Sequence, residues 1–444
     1  MTARFSRRSL LKAALASSLP ALLPGRGLAQ SREVDVAIVG AGAAGIAAAR
    51  RCAAQGRSHV ILEALPRVGG RVAMVSSPFG TPVDLGAHRL FAPKNPLLDV
   101  ARGIKFDLYA PLQSRRLYLG SREARDSEYD DFTATVRRAA RAIAAVGETG
   151  RDVAATEVLP DLGAWQELAA FVLGPMIYGA ELERLSTVDF SRAAERSEEF
   201  AAKSGMASLI YAASRAIPIE LSTAVRSLQI SARRTVQIET GRGSFQAGAV
   251  IVTASPGVLA SGRIRFSPNL PERAASAIAR LPMDTLNRVA FELPGNPLRM
   301  KDDETVLFRA ERNKTMRLTT RVAGSDIAYA DLGGALAREL SNSVDQELPF
   351  VREMLRAHFG ADAARQITWS SVARWNKEEW FLGSHAVAQP GFARARQTLT
   401  EPVHERIFFA GEALHETQFG TLAGAWASGE RAANAALRVL PPRR

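Results

Sequence analysis

Gly40, Gly42 and Gly45, within Gly40-Ala41-Gly42-Ala43-Ala44-Gly45, form the first group in this chain whose spacing has chemical meaning. They follow the apolar run Val34 to Val39 and precede the alanine-rich stretch Ala43 to Ala54. Between a strand and a helix, such glycines permit a tight turn and bring backbone close to a pyrophosphate, which then faces the helix N-terminus. Ala43 and Ala44, which open that helix, belong to the same cradle. Glu63 stands 18 residues after Gly45, at the end of the second apolar strand His59 to Leu62. A carboxylate there can accept hydrogen bonds from the ribose of an adenosine half. The glycines alone would suit any glycine-rich helix start, whereas strand, turn, helix, strand and acid together specify a dinucleotide site.

The continuation Glu63-Ala64-Leu65-Pro66-Arg67-Val68-Gly69-Gly70-Arg71 favours FAD over NAD, because a second glycine pair and two arginines add backbone and positive charge beside a diphosphate. With this stretch the chain resembles the flavin amine-oxidase family, which includes monoamine oxidases, polyamine oxidases and lysine-specific histone demethylases and carries a matching E-A-x-x-R-x-G-G-R. Val83-Asp84-Leu85-Gly86-Ala87-His88 is similar to the family's D-x-G-A-H segment beneath the flavin. Val250 to Leu259 is similar to its V-I-x-T-x-P-x-G-V-L strand, and Phe409-Ala410-Gly411-Glu412 followed by Gly420 to Gly429 resembles its closing motifs. The resemblance covers nearly the whole chain after residue 33. It implies that Gly86, Ala87 and His88 run under the flavin and that Gly411 and Glu412 approach the ribityl and pyrophosphate. Thr421 and Leu422 would meet the pyrimidine edge, and Val225, opening a strand of the same domain, joins the cofactor contacts.

The same resemblance implies the chemistry: hydride leaves the carbon beside an amine nitrogen for flavin N5, and the imine hydrolyses. Reoxidation would fall to O2, giving H2O2, or to a periplasmic electron acceptor. Departures from the family pattern cluster where substrate would sit. A lysine common in the family aligns with Arg288, which stays charged and cannot act as a tunable base. Two flanking tyrosines are replaced by His385, within Gly383-Ser384-His385, and by Thr421. Ser384 aligns with the cysteine of covalently flavinylated relatives, so FAD is expected to bind non-covalently. Arg89 occupies the place of a carboxylate-binding arginine in L-amino-acid oxidases, where a bidentate clamp is chemically reasonable. His88, Arg89, Arg288 and His385 are therefore the candidate catalytic residues, with Trp375, Trp380, Phe381 and Phe419 available as pocket walls. Three alternatives stand beside an amine oxidoreductase: an L-amino-acid oxidase using Arg89, a flavin C–C desaturase or porphyrinogen-type oxidase, and a catalytically idle FAD-binding protein.

The elements that must position these residues define an α/β fold, a Rossmann-type FAD-binding domain with a second α+β substrate domain of mixed sheet and helical insertion. The FAD-binding domain is expected from residues 30–95, 220–270 and 400–444, and the substrate domain from 96–219 and 271–399. Helical patterning dominates from about 95 to 220, clearest at Phe132 to Val146, Trp165 to Leu173 and Met206 to Ala216. Strand patterning returns at Val225 to Ile230, Thr235 to Glu239, Ala249 to Thr253, Leu286 to Leu293, Met316 to Thr320, Ile327 to Leu332 and Ile367 to Arg374. Arg406 to Ala410 and the helical stretch Thr421 to Leu437 return the chain to its first domain.

Residues 1–29 read as a twin-arginine signal peptide: Arg7-Arg8, the apolar run Ala13 to Leu23, then Gly27-Leu28-Ala29. The apolar run is too short and too broken for the roughly 20 residues a membrane span needs. The expected location is the periplasm. The 57 basic and 45 acidic residues give +12; the segment holds five basic residues and no acid, so its removal leaves 52 − 45 = +7. No basic run with interleaved aromatics suggests nucleic-acid binding. The single Cys52 excludes an internal disulfide, and the six scattered histidines have no metal-ligand spacing. The partners expected are a small amine or amino acid and an electron acceptor; oligomeric state is not encoded in any motif.

Overall fold

In the computed structural model, residues 32–442 are described, apart from positions 113, 195, 197, 310–313 and 344. The twin-arginine segment lies outside the described residues.

Strand Arg32–Val39 becomes fully buried over its last four residues. This is what a parallel strand covered on both faces requires. It pairs in parallel with Gly243–Val252 on one side and His59–Leu62 on the other, and Ile219–Glu220 extends the second edge. The C-terminal end of Gly243–Val252 also pairs in parallel with Ile407–Phe409. Its N-terminal part turns antiparallel against Val236–Thr240, which pairs with Val225–Ile230.

Helices Ala43–Ala54 and Leu422–Arg438 cover one face of this sheet, burying Ile46, Ala48, Trp426 and Ala432 against Val36, Ile38 and Ile251. Small residues let the two helices touch: a Cβ at Gly429 would lie 2.0 Å from the Ala44 carbonyl oxygen. The first helix and the last therefore form one layer over the dinucleotide turn.

A second sheet of seven strands runs in the order Ser370–Ala373, Leu286–Glu292, Ile327–Gly333, Arg317–Thr319, Thr305–Phe308, Arg115–Leu119, Arg122–Glu123. All pairs are antiparallel except Thr305–Phe308 with Arg115–Leu119. Helices Gly334–Ser341 and Glu347–Phe359 pack Leu336, Ala337, Val351 and Leu355 into a core with Val289, Phe291 and Phe308. The region expected to be helical thus contributes the strand Arg115–Leu119. Its short Arg-Arg-Leu-Tyr-Leu segment is extended because the second sheet offers it an edge. Helix Asp126–Glu148, with Gln166–Leu173 and Thr187–Arg192, builds the helical insertion. Among the described residues no helix is long and apolar enough to cross a membrane, and no His/Cys/Asp/Glu group is arranged to hold a metal ion.

Candidate active site

The dinucleotide turn is built as its spacing demands. Gly40 has φ 103°, a conformation glycine adopts freely, and its N–H donates to the Leu62 carbonyl. A Cβ at Gly45 would lie 1.9 Å from the Gly40 carbonyl oxygen, so the third glycine is fixed by contact within the protein. A Cβ at Gly42 would meet nothing within 4 Å, and Gly42 lines a cavity of about 660 Å³. The helix that begins at Ala43 has neither a side-chain cap nor an acid in its first turn, which leaves its amide groups to an anion in the cavity.

Glu63 is buried beside this turn, with Oε2 accepting from Ala41 N at 2.6 Å and Oε1 from Leu65 N at 2.8 Å. Burial raises its pKa, opposed by these N–H groups and by Arg67. Arg67 does not line the cavity; it donates to the Gly70 carbonyl at 2.8 Å and props the second glycine turn. Gly45 and Arg67 therefore act behind the surface. Ala64, Gly69, Gly70, Arg71, Gly86, Ala87, His88, Val225, Gly411, Glu412, Thr421 and Leu422 line the cavity with Gly40, Gly42, Ala43, Ala44 and Glu63.

Glu412 ties three segments together. Its Oε1 accepts from Arg71 at 3.0 Å and from Ala386 N at 3.2 Å, and its Oε2 accepts from Gly420 N at 3.0 Å. Thr421 caps the last helix, its Oγ1 accepting from Gly424 N at 3.0 Å. The open cradle at Gly42, the uncapped first helix and the Glu63 carboxylate lining the same cavity suit a dinucleotide.

The candidate catalytic residues also line the cavity, in differing states. Arg288 is buried and uses all five guanidinium donors. Nε and Nη2 bind Asp331 at 2.7 and 3.0 Å, Nη1 binds the Asp84 and Gly86 carbonyls at 3.2 and 3.0 Å, and Nη2 also donates to His88 Nδ1 at 3.1 Å. It fastens the segment Asp84 to His88 to the second sheet and has no N–H left for a guest. Burial pushes the Asp331 carboxyl up, but Arg288 and Arg317 outweigh it and hold it far below the usual carboxylate range.

His88 accepts from Arg288 through Nδ1, so its ring proton sits on Nε2. Burial, then Arg288 and Arg89, depress its pKa and keep it neutral. Burial likewise lowers His385 to about 4, and its Nδ1 has no hydrogen-bond partner. Arg89 lies between Asp303 at 3.4 Å and Glu199 at 3.6 Å, with Nη1 buried and unbonded. Its charge is met within the protein. Trp375, Trp380 and Phe381 line the cavity; Phe419 lies behind it, stacked on Tyr178.

Arg196, Arg317 and Asp331 also line the cavity and were not foreseen. Asp331 faces Arg288 across paired strands, a register that no local pattern encodes. Arg196 follows helix Thr187–Arg192 in a stretch that carries no motif.

A parallel sheet with a glycine-lined dinucleotide turn, joined through one cavity to a mixed antiparallel sheet, defines an α/β FAD-binding fold. Residues 43–437 match the pattern of the flavin containing amine oxidoreductases, and the chain belongs to that family. It is 27% identical to a lysine-specific histone demethylase 1 homolog 2 of Oryza sativa subsp. japonica, over 92% of this chain and 58% of that protein. It is 26% identical to the protein FLOWERING LOCUS D of Arabidopsis thaliana, over 91% of this chain and 55% of that one. The chain thus spans little more than half the length of these relatives. Among solved structures, putrescine oxidase bound to putrescine superposes with a TM-score of 0.79 at 17% identity, covering 92% of this chain and 100% of that one. Cyclohexylamine oxidase from Brevibacterium oxydans IH-35A superposes at 0.76 and 21% identity, covering 91% and 99%.

Proposed function

We propose that this protein is an FAD-dependent oxidoreductase that oxidises the C–N bond of a small amine. The observation that carries this reading is the single cavity running from the glycine turn and Glu63 to the neutral imidazoles of His88 and His385. When bound, the flavin supplies the hydride acceptor for the carbon beside the amine nitrogen, and the released imine hydrolyses.

Gly42 and the first helix would hold the diphosphate, Glu63 the adenosine ribose, and the start of the last helix the flavin ring. Arg288 acts as a positioning residue, since its donors fix the Asp84 to His88 segment. Amine oxidation requires the free base, and the arginines lining the cavity oppose a second positive charge, which favours loss of the ammonium proton on entry. His385 is too weak a base to deprotonate an ammonium, and because its Nδ1 is buried, a hydrogen bond to the substrate would fall to Nε2. Trp375, Trp380 and Phe381 wall the site and exclude water.

The flavin is held non-covalently in this reading. Cys52 is buried in the first helix away from the cavity, its thiol pushed up to about 12, and Ser384 stands nearer the expected ring position. We further propose export to the periplasm through the twin-arginine segment, with O2 or a redox partner there as acceptor.

Anaerobic mixing of the native protein with a panel of amines and L-amino acids tests the reading. Bleaching of the flavin band by at least one nitrogenous substrate is expected. No bleaching by any of them would point instead to a desaturase or an idle flavoprotein. Acid precipitation should release the flavin into the supernatant; colour kept in the pellet would contradict non-covalent binding.

A further inference from the structure

Arg196 is a half-buried cation of the cavity wall, acted on by Glu199 but not in an ion pair with it. Its guanidinium lies 5.4 Å from the ring centre of Phe91 and 5.7 Å from that of Tyr178. Its hydrogen bond, from Nη2 to the Phe419 carbonyl, is long at 3.4 Å. A guanidinium has five donors, and no carboxylate among the described residues forms an ion pair with this one. Arg89, by contrast, has Asp303 and Glu199 beside it.

The position of Arg196 is also informative. A Cβ at Gly420 would come within 3.1 Å of His385 Cδ2 and 3.9 Å of Arg196 Nη2, so the imidazole and the guanidinium converge beside the start of the last helix. The surrounding wall carries an excess of the same sign, with seven arginines, Arg196 among them, against Glu63, Glu199, Asp331 and Glu412. Arg288 and Arg317 share the one carboxylate of Asp331. Arg115 and Arg137, both exposed, line the cavity without an ion pair among the described residues. A partly desolvated cation with unused donors is costly unless an anion answers it, and a cleft with an excess of one sign of charge favours guests of the other.

We propose that the guest of this cavity carries a carboxylate and that Arg196 binds it, with its apolar part against Phe91. This rests on the amine reading only in placing an amino group on the same molecule; a dicationic polyamine would meet an excess of like charge in the cavity. Arg196 is then the specificity-determining residue, and Arg89 holds the wall in place.

Benzoate and its uncharged isostere benzamide, titrated into the FAD-loaded protein and followed by perturbation of the flavin spectrum, test this without turnover. Benzoate is expected to bind at least about ten-fold more tightly than benzamide, as a charge-assisted bond to arginine implies. Arg196→Gln should bring the two within about two-fold at unchanged FAD content and melting temperature, and Arg196→Lys should keep part of the preference. Equal affinity of the native protein for the two ligands would overturn the inference. So would a benzoate preference that survives Arg196→Gln. If Arg196→Gln loses FAD, and Arg196→Lys restores FAD but not the benzoate preference, the guanidinium serves the flavin and the inference also fails. Because benzoate is not oxidised, anion binding and amine oxidation succeed or fail separately.

Discussion

Arg288 illustrates how a single side chain can sit at a reaction centre and serve it without touching substrate. Its five donors are all used, and its partner Asp331 is held ionised by two arginines in a buried setting. Removing one partner of such a pair leaves an unanswered buried charge, so Asp331→Asn should lower the urea-unfolding free energy by about 3–5 kcal/mol. A loss below about 1 kcal/mol would show that the network is slack. His385 makes a prediction in pH. Its folded pKa of about 4 lies below the ordinary 6.5, so the unfolded chain binds more protons between these values and stability rises with pH there. The melting temperature should therefore fall as pH drops from 6.5 towards 4, and His385→Gln should flatten that slope; an unchanged slope would assign it to other groups, His88 first. The sequence marked Arg288 and His385 as departures from a family pattern, which is a statement about identity. The carboxylate facing Arg288 was not legible, because Arg288 opposite Asp331 is a fact of strand register.

The glycine turn separates two roles that the Gly-x-Gly-x-x-Gly pattern leaves merged. Gly45 is required by the protein's own packing, since its Cβ would strike the Gly40 carbonyl, whereas Gly42 faces open cavity. Gly42→Ala should leave the FAD-free protein as stable as native, within about 0.5 kcal/mol, while sharply weakening FAD retention. Gly45→Ala should reduce both. Equal FAD retention by Gly42→Ala and native protein would place the diphosphate elsewhere. The strands and helices around this turn were readable from local pattern and spacing, because parallel strands and small-residue helices leave near-continuous signals. Helices Gly334–Ser341 and Glu347–Phe359 carry no motif and pack on the second sheet, and Arg115–Leu119 is a strand held between Thr305–Phe308 and its hairpin partner Arg122–Glu123. Local sequence is a poor guide to such edges, which are set by tertiary contact.

At the scale of the molecule, the cavity is bounded by residues of both sheets, Val39 and Leu62 from the first and Arg288, Thr305 and Asp331 from the second. A cofactor there couples them thermodynamically. Added FAD at about 100-fold over its dissociation constant should stabilise the FAD-free protein by about 2.7 kcal/mol. Probes in either sheet should report the same rise in melting temperature, and two separate transitions would mean that the sheets unfold independently. The parallel sheet also has an order of assembly written into it. Ile407–Phe409 lies beside Val250–Val252, and Gly411 to Leu422 closes the cavity that Gly40 opens. During synthesis the glycine loop emerges from the ribosome long before the walls that would retain a coloured ligand, so loading has to wait until residues 411–422 have been made.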